Sequence, residues 1–331
     1  MLAGAFAAAC LLAAAAAAGA EAPAVVTLLE GQAAVLRSTG RFALAEGVRV
    51  HAGDIIEVPE KGTVQIGFAG GTRVSLGPQS RFHVAVLAGA AGRGGKEAAV
   101  SDFYLLQGWS KLAIAPKSPP LRVTTPLFGF GSADADVVVH VQGAEGSLFV
   151  ERGALRLAEG FVKATPSSPV AVGAGQFYVR RADQRGVVQP RPAPAFVSGM
   201  PVNYRDNLPE RLTTLKDREV SPRRLGDVAY EDVEQWLKGP PELRRPLIQR
   251  MRGRAHDPEF RRAVIANMRF HPEWDPILFP EKYLPKPPPV VDAAKAPPTA
   301  VDAAKAPPTA IDPAKAPPPA ADAVKAPAQS K

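Results

Sequence analysis

Thiol chemistry is all but missing from this chain. Its 331 residues contain one cysteine, Cys10, and that residue lies inside an apolar N-terminal run. The body is left without a thiolate nucleophile, a thiolate metal site or a disulfide, none of which is needed by a domain large enough to build its own core. The five histidines, at 51, 83, 140, 256 and 271, show no metal-ligand spacing, and no set of nucleophile, base and orienting group is visible. Charge of one sign is not concentrated either. The net +8 is spread along the chain with no strongly basic block, which argues for a solvated surface and against a nucleic-acid partner. These absences lead to the expectation of a protein that is not an enzyme and holds no cofactor and no metal.

What is present is a dense β-pattern from Val25 to about Arg180. Its clearest part is Gly47 to Phe82, where short alternating strands are punctuated by Gly, Asp and Pro. In Thr63-Val-Gln-Ile-Gly-Phe68 the residues Val64, Ile66 and Phe68 share one face and point into a core. Fourteen such runs with Gly-rich connections predict an antiparallel β-roll or sandwich over residues 21–187 that folds alone. Pro then clusters in 188–201, which reads as a linker. Beyond it the period becomes helical. Val233, Trp236 and Leu237 share a stripe, as do Leu243, Leu247, Ile248 and Met251. Asp257-Pro258-Glu259 reads as an N-cap, a first-turn Pro and a first-turn acid. Residues 202–284 are thus expected to form a small helical region that needs packing on the β-domain or on a partner. The fold class is mainly β, followed by a small α-helical unit.

The two ends carry other signals. Residues 1–20 are apolar and close on Ala18-Gly19-Ala20, which reads as a signal peptide cleaved before Glu21. The alternative is an uncleaved anchor in the inner membrane, the one route to membrane association. Residues 285–331 repeat Val-Asp-Ala-Ala-Lys-Ala-Pro-Pro-Thr-Ala at 291–300 and 301–310. Frequent Pro and the lack of aromatics predict a disordered, extended tail that reaches outward as a spacer.

The order of residues in the β-region resembles the FecR domain, the extracytoplasmic module of iron-citrate sensors. The likeness rests on Ala52-Gly-Asp-Ile-Ile-Glu-Val58 and on Gly62-Thr-Val-Gln-Ile-Gly-Phe-Ala-Gly-Gly-Thr-Arg-Val-Ser-Leu-Gly-Pro-Gln-Ser-Arg-Phe82. It continues through Phe103 to Ile114, Leu121 to Val139, Gly146 to Leu157 and Val170 to Arg181. The resemblance implies an exported all-β protein of a Gram-negative envelope. The family's Arg-Gly-Thr is replaced by Gly131-Ser132-Ala133-Asp134, and no cytoplasmic anti-sigma segment precedes the β-pattern. The expected function is therefore a stand-alone, periplasmic, non-catalytic binding or scaffold protein whose partner is an envelope protein or a cell-wall polymer. The alternative is a sensor subunit that relays ligand or transporter state to a separate membrane partner.

Several local motifs fall short of a site. Gly129-Phe130-Gly131-Ser132-Ala133-Asp134 starts like a dinucleotide loop but lacks the third Gly and a following helix. Ala90 to Glu97 imitates a phosphate loop, with Glu97 where Ser or Thr must meet magnesium; a flexible loop explains it. Asp134 and Asp136 alternate at a strand start. The sharpest charged feature is Arg244, Arg245, Arg250, Arg252, Arg254, Arg261 and Arg262, with Glu242, Asp257 and Glu259 interleaved. At helical spacing it is either a basic interaction face or a solvated face with internal ion pairs.

Overall fold

The computed structural model describes residues 24–89, 100–116, 118–159, 161–162, 165–166 and 168–284. Residues 1–20, expected as a signal peptide, most of the expected 88–96 loop and the expected tail of 285–331 lie outside the described residues. Of the two compact units, Met1–Tyr283 and Leu284–Lys331, the first holds all the strands and helices of the described residues.

The chain is mainly β, as its alternation predicts. The first nine strands are β1 (Ala24–Gly31), β2 (Ala34–Arg37), β3 (Gly40–Ala43), β4 (Arg49–Val50), β5 (Ile55–Glu57), β6 (Gly62–Phe68), β7 (Arg73–Leu76), β8 (Arg81–Val86) and β9 (Ser101–Ile114). They are followed by β10 (Leu121–Thr124), β11 (Gly129–Ser132), β12 (Ala135–Gln142), β13 (Glu145–Ala158), the small hairpin β14 (Phe161–Val162) and β15 (Thr165–Pro166), β16 (Val170–Gly173), β17 (Phe177–Arg181) and β18 (Val187–Gln189). All but that hairpin join one continuous sheet folded over on itself.

Two long strands make the fold-over. The Gly108–Ile114 half of β9 pairs with β7 and β12, while its Ser101–Gln107 half pairs with β8 and, in parallel, with β10. In the same way β13 pairs with β12 and β17 at one end and with β11 and β16 at the other. The side-chain alternation of each strand breaks at its glycine, Gly108 in β9 and Gly153 in β13. Both glycines have positive φ, +92° and +84°, a conformation open to glycine and costly for other residues. The layers thus formed run β4-β1-β6-β7-β9-β12-β13-β17-β18 and β3-β2-β5-β8-β9-β10-β11-β13-β16. Val26, Val35, Ile56, Val64, Ile66, Phe68, Phe82, Phe103 and Val139 are among the buried residues between them.

The described residues from 190 to 283 pack against this sandwich. Helix α1 (Pro194–Gly199) and β18 lie within the Pro-rich stretch that the sequence presents as a linker. Phe196 of α1 packs on Trp109 and Phe177, at ring separations of 5.1 and 4.9 Å. Tyr204 is fully buried and donates to the carbonyl of Ser75 at 2.8 Å. The buried ammonium of Lys111 donates to the carbonyls of Tyr204 and Asp206 at 2.6 and 3.0 Å and pairs with Glu151 at 2.9 Å. Gln65 donates to the carbonyl of Pro209 at 2.8 Å. Helix α2 (Leu212–Leu215) then covers Val25. The Gln65 amide nitrogen of β6 and the Lys111 ammonium of β9 thus find partners on this strap, residues 190–216.

The strap continues into β19 (Arg223–Asp227), which adds to β3 as an edge strand. No alternation marks β19 in the sequence; its ladder to β3 makes it a strand. Helices α3 (Tyr230–Leu237), α4 (Pro241–Met251), α5 (Pro258–Ala266) and α6 (Asp275–Leu278) follow. Val233, Trp236, Leu237, Leu247, Ile248, Met251, Phe260 and Val264 are buried with Leu36, Ile55 and Tyr104 of the second layer. The stripes read from the 3.6-residue period are buried except at Leu243, which is half-buried. Asp257 caps α5, accepting from the backbone N–H groups of Glu259 and Phe260 at 3.0 and 2.8 Å.

His83 lies beneath this helical layer, 5.9 Å from the Trp236 ring. Burial pushes its imidazole down from 6.5 to about 4, and the nearby Arg250 guanidinium adds to the shift. The unfolded chain therefore binds a proton more readily than the folded one. Stability is held in full above the ordinary value of 6.5 and lost as pH falls toward 4. Urea midpoints followed by tryptophan fluorescence are expected to drop between pH 7 and pH 4.5. His83→Gln should remove up to about 3 kcal/mol of that drop. An unchanged slope in the variant refutes this assignment.

Candidate binding groove

Two rows of side chains face outward from the β19-β3-β2-β5-β8-β9 end of the second layer. One row, with Leu36, Ile55 and His83, lies beneath the helices. The other is set by register alone. Arg223 opposes Ala43, Ala43 opposes Ala34, Ala34 opposes Glu57, Glu57 opposes Arg81, and Arg81 opposes Gln107. This row floors an open groove of about 940 Å³, with Gln32, Glu60 and Gln79 at its rim. Ala34 and Ala43 deepen the centre, because each presents a single methyl where its neighbours in the row carry long polar chains.

The charges in this groove are poorly matched to one another. Arg41 stands over the floor, 3.9 Å from Glu57 and 3.9 Å from Asp232. Arg81 is 3.6 Å from Glu57. These distances are too long for hydrogen bonds. Arg41 Nε and Glu57 Oε1 are both buried without a hydrogen-bond partner among the described residues. Burial lifts the Glu57 carboxyl above its ordinary value; Arg81 opposes the rise, Asp232 adds to it and Arg41 opposes it. Asp232 is engaged elsewhere, accepting from the Ala229 backbone N–H at 2.8 Å at the start of α3.

A second cleft, of about 630 Å³, lies against the first layer beside α1. There His140 stacks on Trp109 with ring centroids 3.9 Å apart. Burial holds the His140 imidazole down at about 4, with Glu145 opposing. Trp109, Phe177 and Phe196 are each at least nine-tenths buried, so their rings serve as core more than as a platform.

The structure disperses the seven arginines of the expected basic face. Arg244 donates from Nε to both carboxylate oxygens of Glu273 at 3.0 Å and from Nη1 to the Gly239 carbonyl. Arg250 reaches across to the Gly53 carbonyl beside β5, and burial lowers its pKa. Arg254 donates to the Val228 carbonyl at 3.0 Å and pairs with Asp227 and Asp257. Arg261 donates to the Leu278 carbonyl at 2.7 Å and lies over the Phe279 ring. These four brace the helical layer. Arg245, Arg252 and Arg262 are exposed, Arg245 at 3.7 Å from Glu273. Asp134 and Asp136 both pair with Arg152, so a protein cation already stands between the two carboxylates. Gly129 to Ser132, the start of the apparent dinucleotide loop, is strand β11.

No family model matches the chain, and no curated protein matches it. Two crystal structures of a protein from Parabacteroides distasonis ATCC 8503, described as an anti-sigma factor, align with part of this chain. One has 13% identity and a TM-score of 0.35, over 44% of this chain and 65% of that one. The other has 12% identity and a TM-score of 0.34, over 44% and 64%. This chain therefore spans slightly less than two thirds of the solved protein. Among the described residues no helix is long and apolar enough to cross a membrane.

Sequence reasoning did not find Arg41, Glu57, Arg81 and Arg223. They are separated by up to 182 positions and belong to no motif. Glu57 and Arg81 are outward positions beside the core residues Ile56 and Phe82, Arg41 and Arg223 have no such neighbour, and pairing register is what sets the four in one place.

Proposed function

We propose that the chain is an exported, non-catalytic binding module of the bacterial cell envelope, built on a FecR-like β-fold, and that the groove over Ala34 and Ala43 holds its ligand. One observation carries this reading. The side chains of Arg41 and Glu57, 43% and 13% exposed, lie on the floor of a groove of about 940 Å³ with no hydrogen bond to a described residue. A ligand with complementary groups gains charge-assisted hydrogen bonds there without first breaking any within the protein. The floor is carried on paired strands, which hold it rigid and suit binding.

The test fills the groove. Ala43→Trp places an indole on the floor while leaving the inner core untouched. The full chain and this variant are compared for retention on isolated envelope fractions. The variant should be retained less by about tenfold, with its thermal midpoint unchanged. Equal retention refutes the reading.

A further inference from the structure

We infer that the groove takes an extended acidic peptide; this rests on the binding role proposed above and names its ligand class. The row from Arg223 to Gln107 crosses six strands. Five inter-strand steps of about 4.8 Å give a floor about 24 Å long, the span of about seven extended residues. The groove is open along that length, so a chain can lie in it without threading.

The balance of hydrogen-bonding groups selects the chemistry. Arg41, Arg81 and Arg223 face the groove, and none makes a hydrogen bond to a described residue. A guanidinium is a fork of donors with no acceptor. The acids facing them are Glu57 and Glu60, with Asp232 behind Arg41. The donors exceed the acceptors within reach, so a ligand must bring acceptors. Carboxylates suit best, because a guanidinium binds them through two parallel charge-assisted bonds. Arg81 and Arg41 now have only long contacts to Glu57 and are free to make such bonds.

Glu57 decides between a peptide and other anions. Its carboxylate, 13% exposed on the floor, makes no hydrogen bond to a described residue and takes a donor from the ligand. A peptide supplies backbone N–H groups for Glu57 and carboxylates for the arginines. A phosphate polymer supplies no donor, and Glu57 and Glu60 repel it. The amides of Gln32, Gln79 and Gln107 along the rim and floor can pair with further peptide groups. The Ala34–Ala43 floor leaves room for a main chain to approach the sheet closely.

The experiment uses the full chain and a labelled, end-blocked heptapeptide alternating Ala and Glu, read by fluorescence anisotropy. The same peptide with Lys in place of Glu is the control, and inorganic polyphosphate is the competitor. The Glu peptide should bind tighter than the Lys peptide by about tenfold or more. Arg41→Gln with Arg81→Gln, and separately Arg223→Gln, should each weaken it. Arg223 is exposed, so its variant does not fail through misfolding. Equal or better binding of the Lys peptide, displacement by polyphosphate at lower concentration than by unlabelled Glu peptide, or indifference to the arginine variants overturns the inference. If Ala43→Trp lowers envelope retention but the Glu peptide does not bind, the binding role survives and the ligand class falls. If the peptide binds and Ala43→Trp leaves retention unchanged, the ligand class stands and the envelope role falls.

Discussion

A fragment ending at Gln189 is expected to lose cooperative folding, although it contains nearly all of the β-pattern. The two layers bury their facing sides against each other, but their outer sides are also apolar. Trp109, Val138 and Phe177 are buried with Phe196, Met200 and Tyr204. Leu36, Ile55 and Tyr104 are buried with Trp236 and its neighbours. Truncation would expose both sets and leave Lys111 without the Tyr204 and Asp206 carbonyls. Each large apolar side chain returned to water costs about 1.5–3 kcal/mol. Six of them exceed about 5 kcal/mol, the lower end of a typical domain's whole stability. Circular dichroism against temperature and sedimentation velocity on residues 24–189 should show aggregation or a broad, low transition. A monomer melting within about 5 °C of the full chain contradicts the prediction, since that shift corresponds to only about 1–2 kcal/mol. Aggregation or a broad, low transition would make the β-stretch, self-sufficient by its alternation alone, dependent on the strap and helices that follow it.

Gly108→Ala is expected to be the most damaging single substitution in the β-core. A Cβ there would stand 2.4 Å from Ser80 Cα and 2.6 Å from both Gln79 O and Ser80 Oγ, at a φ of +92°. Two of the three contacts are with backbone, so no rotamer relieves them. Moving β9 away also strains the bonds by which Ser80 Oγ donates to the Trp109 carbonyl at 2.8 Å and accepts from the Trp109 N–H at 3.0 Å. Left-handed backbone strain alone costs about 1–3 kcal/mol, and overpacking adds about 1–3 kcal/mol. The thermal midpoint should fall by about 10 °C or more. Gly143 provides the control. It also has positive φ, +57°, but a Cβ there meets nothing within 4 Å. Gly143→Ala should therefore show only the backbone cost. Equal losses for the two variants would rule out the clash at the β9 crossing as the cause.

The periodicity of the chain determined a great deal without help from tertiary structure. Val64, Ile66 and Phe68 alternate and are all buried in the core. Val233, Trp236 and Leu237 recur at helical spacing and are all buried under the helical layer. Asp257-Pro258 opens α5 as its capping chemistry requires. These signals are local, because they arise from the repeat of one element against one apolar face. Three things were decided only in three dimensions. β19 is a strand because β3 offers an edge, and its own sequence has no alternation. Arg244, Arg250, Arg254 and Arg261 turn to Glu273, Gly53, Val228 and Leu278 because packing of the helical layer brings those acceptors within reach. The groove exists because register sets Arg223, Ala43, Ala34, Glu57 and Arg81 side by side. Register depends on pairing between distant strands, so local sequence carries the strands but not the row they make.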